Sequence, residues 1–239
     1  MYTAVAGVLG LVVLVYGYAT FFITTPTCTD GVLNGTEHGI DCGGGCALVC
    51  RNEAEAPKVL WSRVFKVSEG SYTAAAYIQN DNPGAGAKRV AYSFQLFDEE
   101  NQLIIERNGI VDLPPVQTIP IIDANIPLAN RAPTRVLFGF SGVPVWEKVA
   151  ATKIPKLRIT AQSLALDGSK LQATLSNEST VDARNVTLGA VLFDASGTAR
   201  AASKSTLNVS KKSSTPVVFT FPGGVQGVVR AEITVLPSF

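Results

Sequence analysis

The sequence predicts a mainly β protein: two tandem antiparallel β-sandwich domains behind an N-terminal transmembrane helix and a small disulfide-stabilised loop module. Three observations predict it. Residues 4–23 form an apolar run without one charged side chain. All four cysteines fall between Cys28 and Cys50. The rest of the chain alternates apolar and polar residues with the period of a half-buried strand, and does so twice, 96 residues apart.

A helix of about 20 apolar residues matches the hydrocarbon thickness of a bilayer. Tyr16, Tyr18, Phe21 and Phe22 gather at the C-terminal end of the run, where an aromatic belt sits at the headgroups. Residues 1–25 are therefore expected to be a transmembrane anchor that holds the membrane through residues 4–23. A cleaved signal peptide is the rival. Against it, no basic segment precedes the run, and the run exceeds the roughly 7–15 residues of a signal core. No Lys or Arg occurs before Arg51, so positive charge does not orient the span. The cysteines orient it instead.

Cys28, Cys42, Cys46 and Cys50 lie in a module, residues 26–57 with its linker, that has too few apolar residues for a core. A segment this small needs staples, either disulfides or a metal. An even cysteine number after a membrane-targeting segment favours disulfides in an oxidising compartment, and four cysteines allow three pairings. Zinc fits poorly, because its structural sites use Cys-x-x-Cys knuckles that are missing here. The disulfides would put everything after Ile23 outside the cytoplasm.

Asp30, Asn34, Glu37 and Asp41 add hard oxygen ligands in a Gly-rich loop, the raw material of a calcium site. Their spacing is not that of an EF-hand. Their competing role is to shape turns by bonding nearby backbone. Calcium is the one cofactor the sequence brings into view. Cys28, Asp30, Gly31, Asn34, Glu37, Gly39, Asp41, Cys42, Gly43 and Gly44 together meet every fixed position of a motif that recurs in bacterial and other surface proteins, Cys-x-Asp-Gly-x-x-Asn-x-x-Glu-x-Gly-x-Asp-Cys-Gly-Gly. This resemblance implies surface display and disulfides, and no activity.

Beyond the linker, Val90, Tyr92, Phe94 and Leu96 alternate with Ala91, Ser93 and Gln95. Val186, Leu188, Ala190 and Leu192 repeat the pattern. Leu96, Phe97 and Asp98 fall on Leu192, Phe193 and Asp194. A period this long is a domain duplication, with sandwiches expected at 58–145 and 146–239. Alternation implies one buried face and one wet face, as in antiparallel sheets. Short strands at this spacing, parted by turn residues, are the pattern of an immunoglobulin-like sandwich. Asp98 and Asp194 read as turn initiators. The strand holding Phe94, Leu96, Phe97 and Asp98 resembles the signature strand of FxLYD-type bacterial domains, whose fold is similar to that of desiccation-related late embryogenesis abundant proteins. The resemblance implies an extracytoplasmic sandwich and no known chemistry.

Trp61 reads as core packing, and Trp146 as a residue of the joint between domains. The sequons at Asn34, Asn177, Asn185 and Asn208 matter only in a glycosylating secretory route. A net charge of +1 removes the simplest case for nucleic acid, which needs a basic face. His38 is the one histidine, and it sits in the Cys-rich loop without a positioned nucleophile, so no catalytic residue is assigned. The expected function is that of a membrane-anchored, extracytoplasmic, non-enzymatic binding or structural protein of the cell surface or envelope, with a protein or glycan partner. An accessory subunit of an envelope assembly is the alternative. An extracytoplasmic hydrolase, which would need an acidic cleft between domains, is the third reading.

Overall fold

A computed structural model describes residues 7, 9–17, 27–128, 131–150 and 156–236. The chain divides into two compact units, residues 1–50 and 51–239.

In the first unit, residues 9–17 are helical and their large apolar side chains are exposed. Among the described residues no helix is long and apolar enough to cross a membrane. Apart from Gly7, the rest of the expected span lies outside the described residues, so the predicted transmembrane helix finds no support in them. The cysteines pair as Cys28–Cys46 and Cys42–Cys50, which selects one of the three pairings open to the sequence. Closing loops of 18 and 8 residues removes chain entropy from the unfolded state, a stabilisation of about 2–3 kcal/mol each.

After a 3-10 turn at Arg51–Glu53, the second unit's regular elements are all strands among the described residues. Its first sandwich contains β1 (Lys58–Ser68), β2 (Ser71–Asn80), β3 (Ala85–Phe97), β4 (Leu103–Leu113), β5 (Gln117–Pro127), β6 (Arg135–Phe140) and β7 (Trp146–Lys148). The second contains β8 (Leu157–Leu164), β9 (Lys170–Asn177), β10 (Ala183–Asp194), β11 (Ala199–Val209), β12 (Ser213–Thr220) and β13 (Val228–Leu236). The sheets of the first are ordered β1-β2-β5 and β4-β3-β6, with β7 added to β3. Those of the second are β8-β9-β12 and β11-β10-β13, the same order strand for strand. β11 starts and ends 96 positions after β4.

The irregularities recur at the same offset. Arg89 and Asn185 both adopt positive φ, 51° and 52°, at bulges where β3 and β10 slip against their partners. Each bulged amide donates to the facing strand's side chain, Arg89 to Asp112 Oδ1 and Asn185 to Asn208 Oδ1, both at 2.8 Å. Asp98 and Asp194 close the next turns, accepting the amides of Gln102 at 2.8 Å and Thr198 at 2.9 Å. These sequence-read turn initiators bond as such residues do.

Two cores result. In the first, Phe94 and Leu96 of β3 are fully buried, with Phe138 of β6 packed edge-on against Phe94 at 5.0 Å. In the second, Leu188, Ala190 and Leu192 of β10 meet Leu171, Leu175, Val217 and Phe219 of the facing sheet. A third cluster joins the sandwiches. Ala75, Tyr77 and Ile122 of the first pack against Val191, Phe193, Ala199 and Ala202 of the second, flanked by Trp61 and Phe65. Both faces of β2 and β10 are therefore buried, where alternation had implied a wet face. Two further expectations need correction. Trp146 pairs with Ala87 of β3, so residues 146–148 belong to the first sandwich rather than opening the second. The joint is built by Trp61, stacked on Tyr77 at 5.0 Å, and not by Trp146.

Candidate functional site

The Cys-rich module brings its oxygen side chains close together and uses most of them on backbone. Asp30 accepts the amides of Thr27 and Val32 and the side-chain amide of Asn34, the last at 2.9 Å. These bonds, Asn34 first, hold its carboxyl below the usual carboxylate range. Asp41 accepts the Gly31 amide at 3.0 Å, and Glu37 accepts that of Asn34 at 3.3 Å. Such bonding is what fixes tight turns. Asn34 Oδ1 is buried and, among the described residues, accepts no hydrogen bond.

Among the described residues, the metal-type grouping with ligand atoms within 4.8 Å is Cys28, Glu37 and Cys46. Two of these are the sulfurs of one disulfide and cannot serve as thiolate ligands. Asp30 and Asp41 are not part of it. The Gly43, Gly44 and Gly45 run has a steric cause: a Cβ on Gly43 would meet the His38 side chain at 2.7 Å, and one on Gly44 would collide with the Thr36 carbonyl. The backbone needs glycine there to pass over its own loop.

The sequons serve the fold. Asn177 is buried and donates to the carbonyls of Val181 and Val209, while Asn208 caps the bulge at Asn185.

The second unit carries a cleft of about 780 Å³ where the two sandwiches meet. Six consecutive residues of β1, Ser62 to Val67, form one wall, and six of β11, Ala199 to Lys204, form another. Thr73 of β2, Ala124 and Asn125 of β5, residues 134–136 of β6 with its approach, and the end of β12 with the turn after it complete it. The cleft holds five cations, Arg63, Lys66, Arg135, Arg200 and Lys204, and no carboxylate. Three of them are engaged. Lys66 Nζ lies 2.8 Å from Glu69, whose carboxylate raises the ammonium's pKa through their hydrogen bond. Arg135 stacks over Phe97 at 4.7 Å, and Arg200 stands 4.0 Å from Asp194. Arg63 and Lys204 have no ion-pair partner among the described residues.

Sequence reading missed this site, because its walls come from strands far apart in the chain and its cations are scattered among ordinary strand residues. The one available signal was the pair of basic positions on each outer strand, Arg63 with Lys66 and Arg200 with Lys204.

No family model matches the chain, and no curated protein matches it. Among solved structures, the chain is similar to the crystal structure of red sea bream transglutaminase, at 8% identity and a TM-score of 0.24. The match covers 74% of this chain and 31% of the other, so the chain spans about a third of that protein's length. A likeness this slight carries no argument about fold or activity.

Proposed function

We propose that the chain is a membrane-anchored, non-enzymatic binding or structural protein, displayed on the non-cytoplasmic side of a cell surface or envelope. The observation that carries this reading is the cysteine arrangement: all four are paired in two disulfides within one short loop module. Such bridges persist in oxidising compartments and are rare in the cytosol. Support for the anchor is the uncharged run at residues 4–23, of which residues 9–17 are helical with Leu11, Val13 and Leu14 more than half exposed. A paired-carboxylate hydrolase needs acids at its centre, and the cleft between the sandwiches is lined by cations instead.

The test is thiol labelling on intact cells with a membrane-impermeant maleimide, before and after an impermeant reductant. Labelling only after reduction supports the reading. Thiols that stay silent until the membrane is opened, and then react without reductant, would place the domains in the cytoplasm and sink it.

A second reading, an accessory subunit of a membrane or envelope assembly, is favoured by the strand arrangement. β1 and β11 are both outermost in their sheets and both border the cleft. Unpaired strand edges are templates for a partner chain.

A further inference from the structure

We infer that the cleft between the sandwiches takes an extended acidic peptide segment of a partner protein, which adds as a strand along β1 or β11. The inference deepens the binding reading above and rests on it.

Consecutive residues of a strand point to opposite faces of its sheet. A cleft lined by one face of a strand would therefore touch every second residue. This cleft touches six in a row on β1 and six in a row on β11. Six in a row brings in the edges of both strands, while Phe65, Ala124, Ala199 and Ala202 line the cleft from the faces that pack at the joint and Thr73 from the middle strand β2. Each of these strands pairs on one side alone among the described residues, β1 with β2 and β11 with β10. The edges present backbone donors and acceptors in the spacing that an added strand satisfies.

Charge selects the chemistry of that strand. Arg63, Lys66, Arg200 and Lys204 sit on the two edge strands, and Arg135 of β6 lines the same cleft. No carboxylate lines the cleft; Glu69 and Asp194, outside the lining, pair with Lys66 and Arg200, and Arg63 and Lys204 have no ion-pair partner among the described residues. Arg63 lies two positions from Phe65 and Lys204 two from Ala202, both joint residues, so these two cations share the joint side while Lys66 points to the other face. A peptide carrying Asp or Glu on alternate positions would lay its backbone on an edge and direct its carboxylates to Arg63 or Lys204. Complementary charge of this kind steers encounter and excludes basic partners. The same edges in a neutral cleft would invite nonspecific strand addition, and cations are one of the devices that prevent it.

The test uses the full-length protein in detergent micelles and three fluorescent probes. One is a peptide of about ten residues alternating Glu and Val, a usual strand length. The second is the same peptide N-methylated at alternate backbone amides along one edge. The third is labelled polygalacturonate, an acidic chain without amides. Anisotropy should show saturable binding of the first peptide, weaker by about tenfold in the Arg63→Ala/Lys204→Ala double variant and reduced by added salt. N-methylation should abolish binding to the wild-type protein, because charge is kept while edge pairing is lost. Equal binding of the methylated peptide, or polygalacturonate binding as tightly as the peptide, overturns the inference in favour of charge recognition alone. Failure of the peptide to bind also overturns it, while the labelling result on cells, which does not involve the cleft, decides the display reading separately. The methylated peptide keeps the test decisive if the double variant does not fold.

Discussion

Asn80 and Asn177 hold the same place in the two sandwiches and make the same three bonds. Each ends the second strand of its copy and is almost completely buried. Asn80 donates Nδ2 to the carbonyls of Ala85 and Pro114 at 2.9 and 2.8 Å, and its Oδ1 accepts the amide of Asn82. Asn177 donates to Val181 and Val209 at 2.9 and 3.2 Å, and accepts the amide of Ser179. The side chain ties the turn between the second and third strands to the end of the fourth.

Replacing either residue by Ala should cost about 2–4 kcal/mol, since two buried carbonyls and one amide lose their partner together. Asp should be no better, because it cannot donate to the carbonyls. Urea unfolding of Asn80→Ala, Asn177→Ala and the corresponding Asp variants checks this. A loss below about 0.5 kcal/mol, the range of ordinary surface changes, would show that water replaces the clamp.

How far this was legible in the sequence differs from feature to feature. The repeat was readable at Leu96, Phe97 and Asp98 against Leu192, Phe193 and Asp194, because strand alternation and the turn aspartates are local signals. The asparagine clamp was hidden by a one-residue difference in turn length. At the constant offset Asn80 falls on Ser176, and Asn177 then reads as a sequon. The pairing of the cysteines was not readable, since spacing does not determine which of them meet. Nor was the joint: Tyr77, Val191 and Phe193 lie at positions that alternation assigns to solvent, and only the unbroken apolar runs at 74–78 and 189–193 marked them as buried twice over.

Asp98 and Asp194 should make the protein sensitive to acid through different partners. Arg131, hydrogen-bonded to Asp98, is the main cause that holds its carboxyl below the usual 3.8. For Asp194 the Ser196 hydroxyl comes first, at 2.6 Å, then the Thr198 amide. A depressed folded-state pKa stabilises fully above the unfolded value, and the contribution is lost as pH falls through the folded one. Stability should therefore decline below about pH 4, and Asp98→Asn and Asp194→Asn should each flatten that decline. High salt should raise the Asp98 pKa toward normal more than that of Asp194, because the hydrogen bond that leads for Asp98 comes from a charged guanidinium, whereas neutral donors lead for Asp194 and the Arg200 charge is the least of its causes. Carboxyl-detected NMR titration at low and high salt reads both; equal responses would refute the distinction.

Calcium at about 1 mM, the range of extracellular modules, should not raise the melting temperature of the disulfide module. The carboxylates of Asp30, Glu37 and Asp41 already accept backbone amides, and a cation would have to displace those bonds. Differential scanning calorimetry with calcium and with chelator is the check. A rise of several degrees that disappears in Asn34→Ala would instead make the buried Asn34 Oδ1 a ligand.

The joint between sandwiches is one-sided, and this explains why it forms once. It pairs the β1-β2-β5 sheet of the first copy with the β11-β10-β13 sheet of the second, two faces that are not equivalents. A head-to-tail contact of this kind propagates if both copies carry both surfaces. They do not. Where the second copy has Gly189 and Val191, the first has Ser93 and Gln95; where the first has Ala75 and Tyr77, the second has Gln172 and Thr174. Gly189 allows the close approach, since a Cβ there would sit 2.5 Å from Pro120 Cγ. Gly189→Ala should therefore cost about 1–3 kcal/mol by overpacking. Gly139→Ala, also in a strand but with open space around it, should change stability by less than about 0.5 kcal/mol. Chemical denaturation of the two variants side by side tests the joint. If both lose the same stability, backbone preference governs position 189, and the sandwiches do not meet through a tight contact between Gly189 and Pro120.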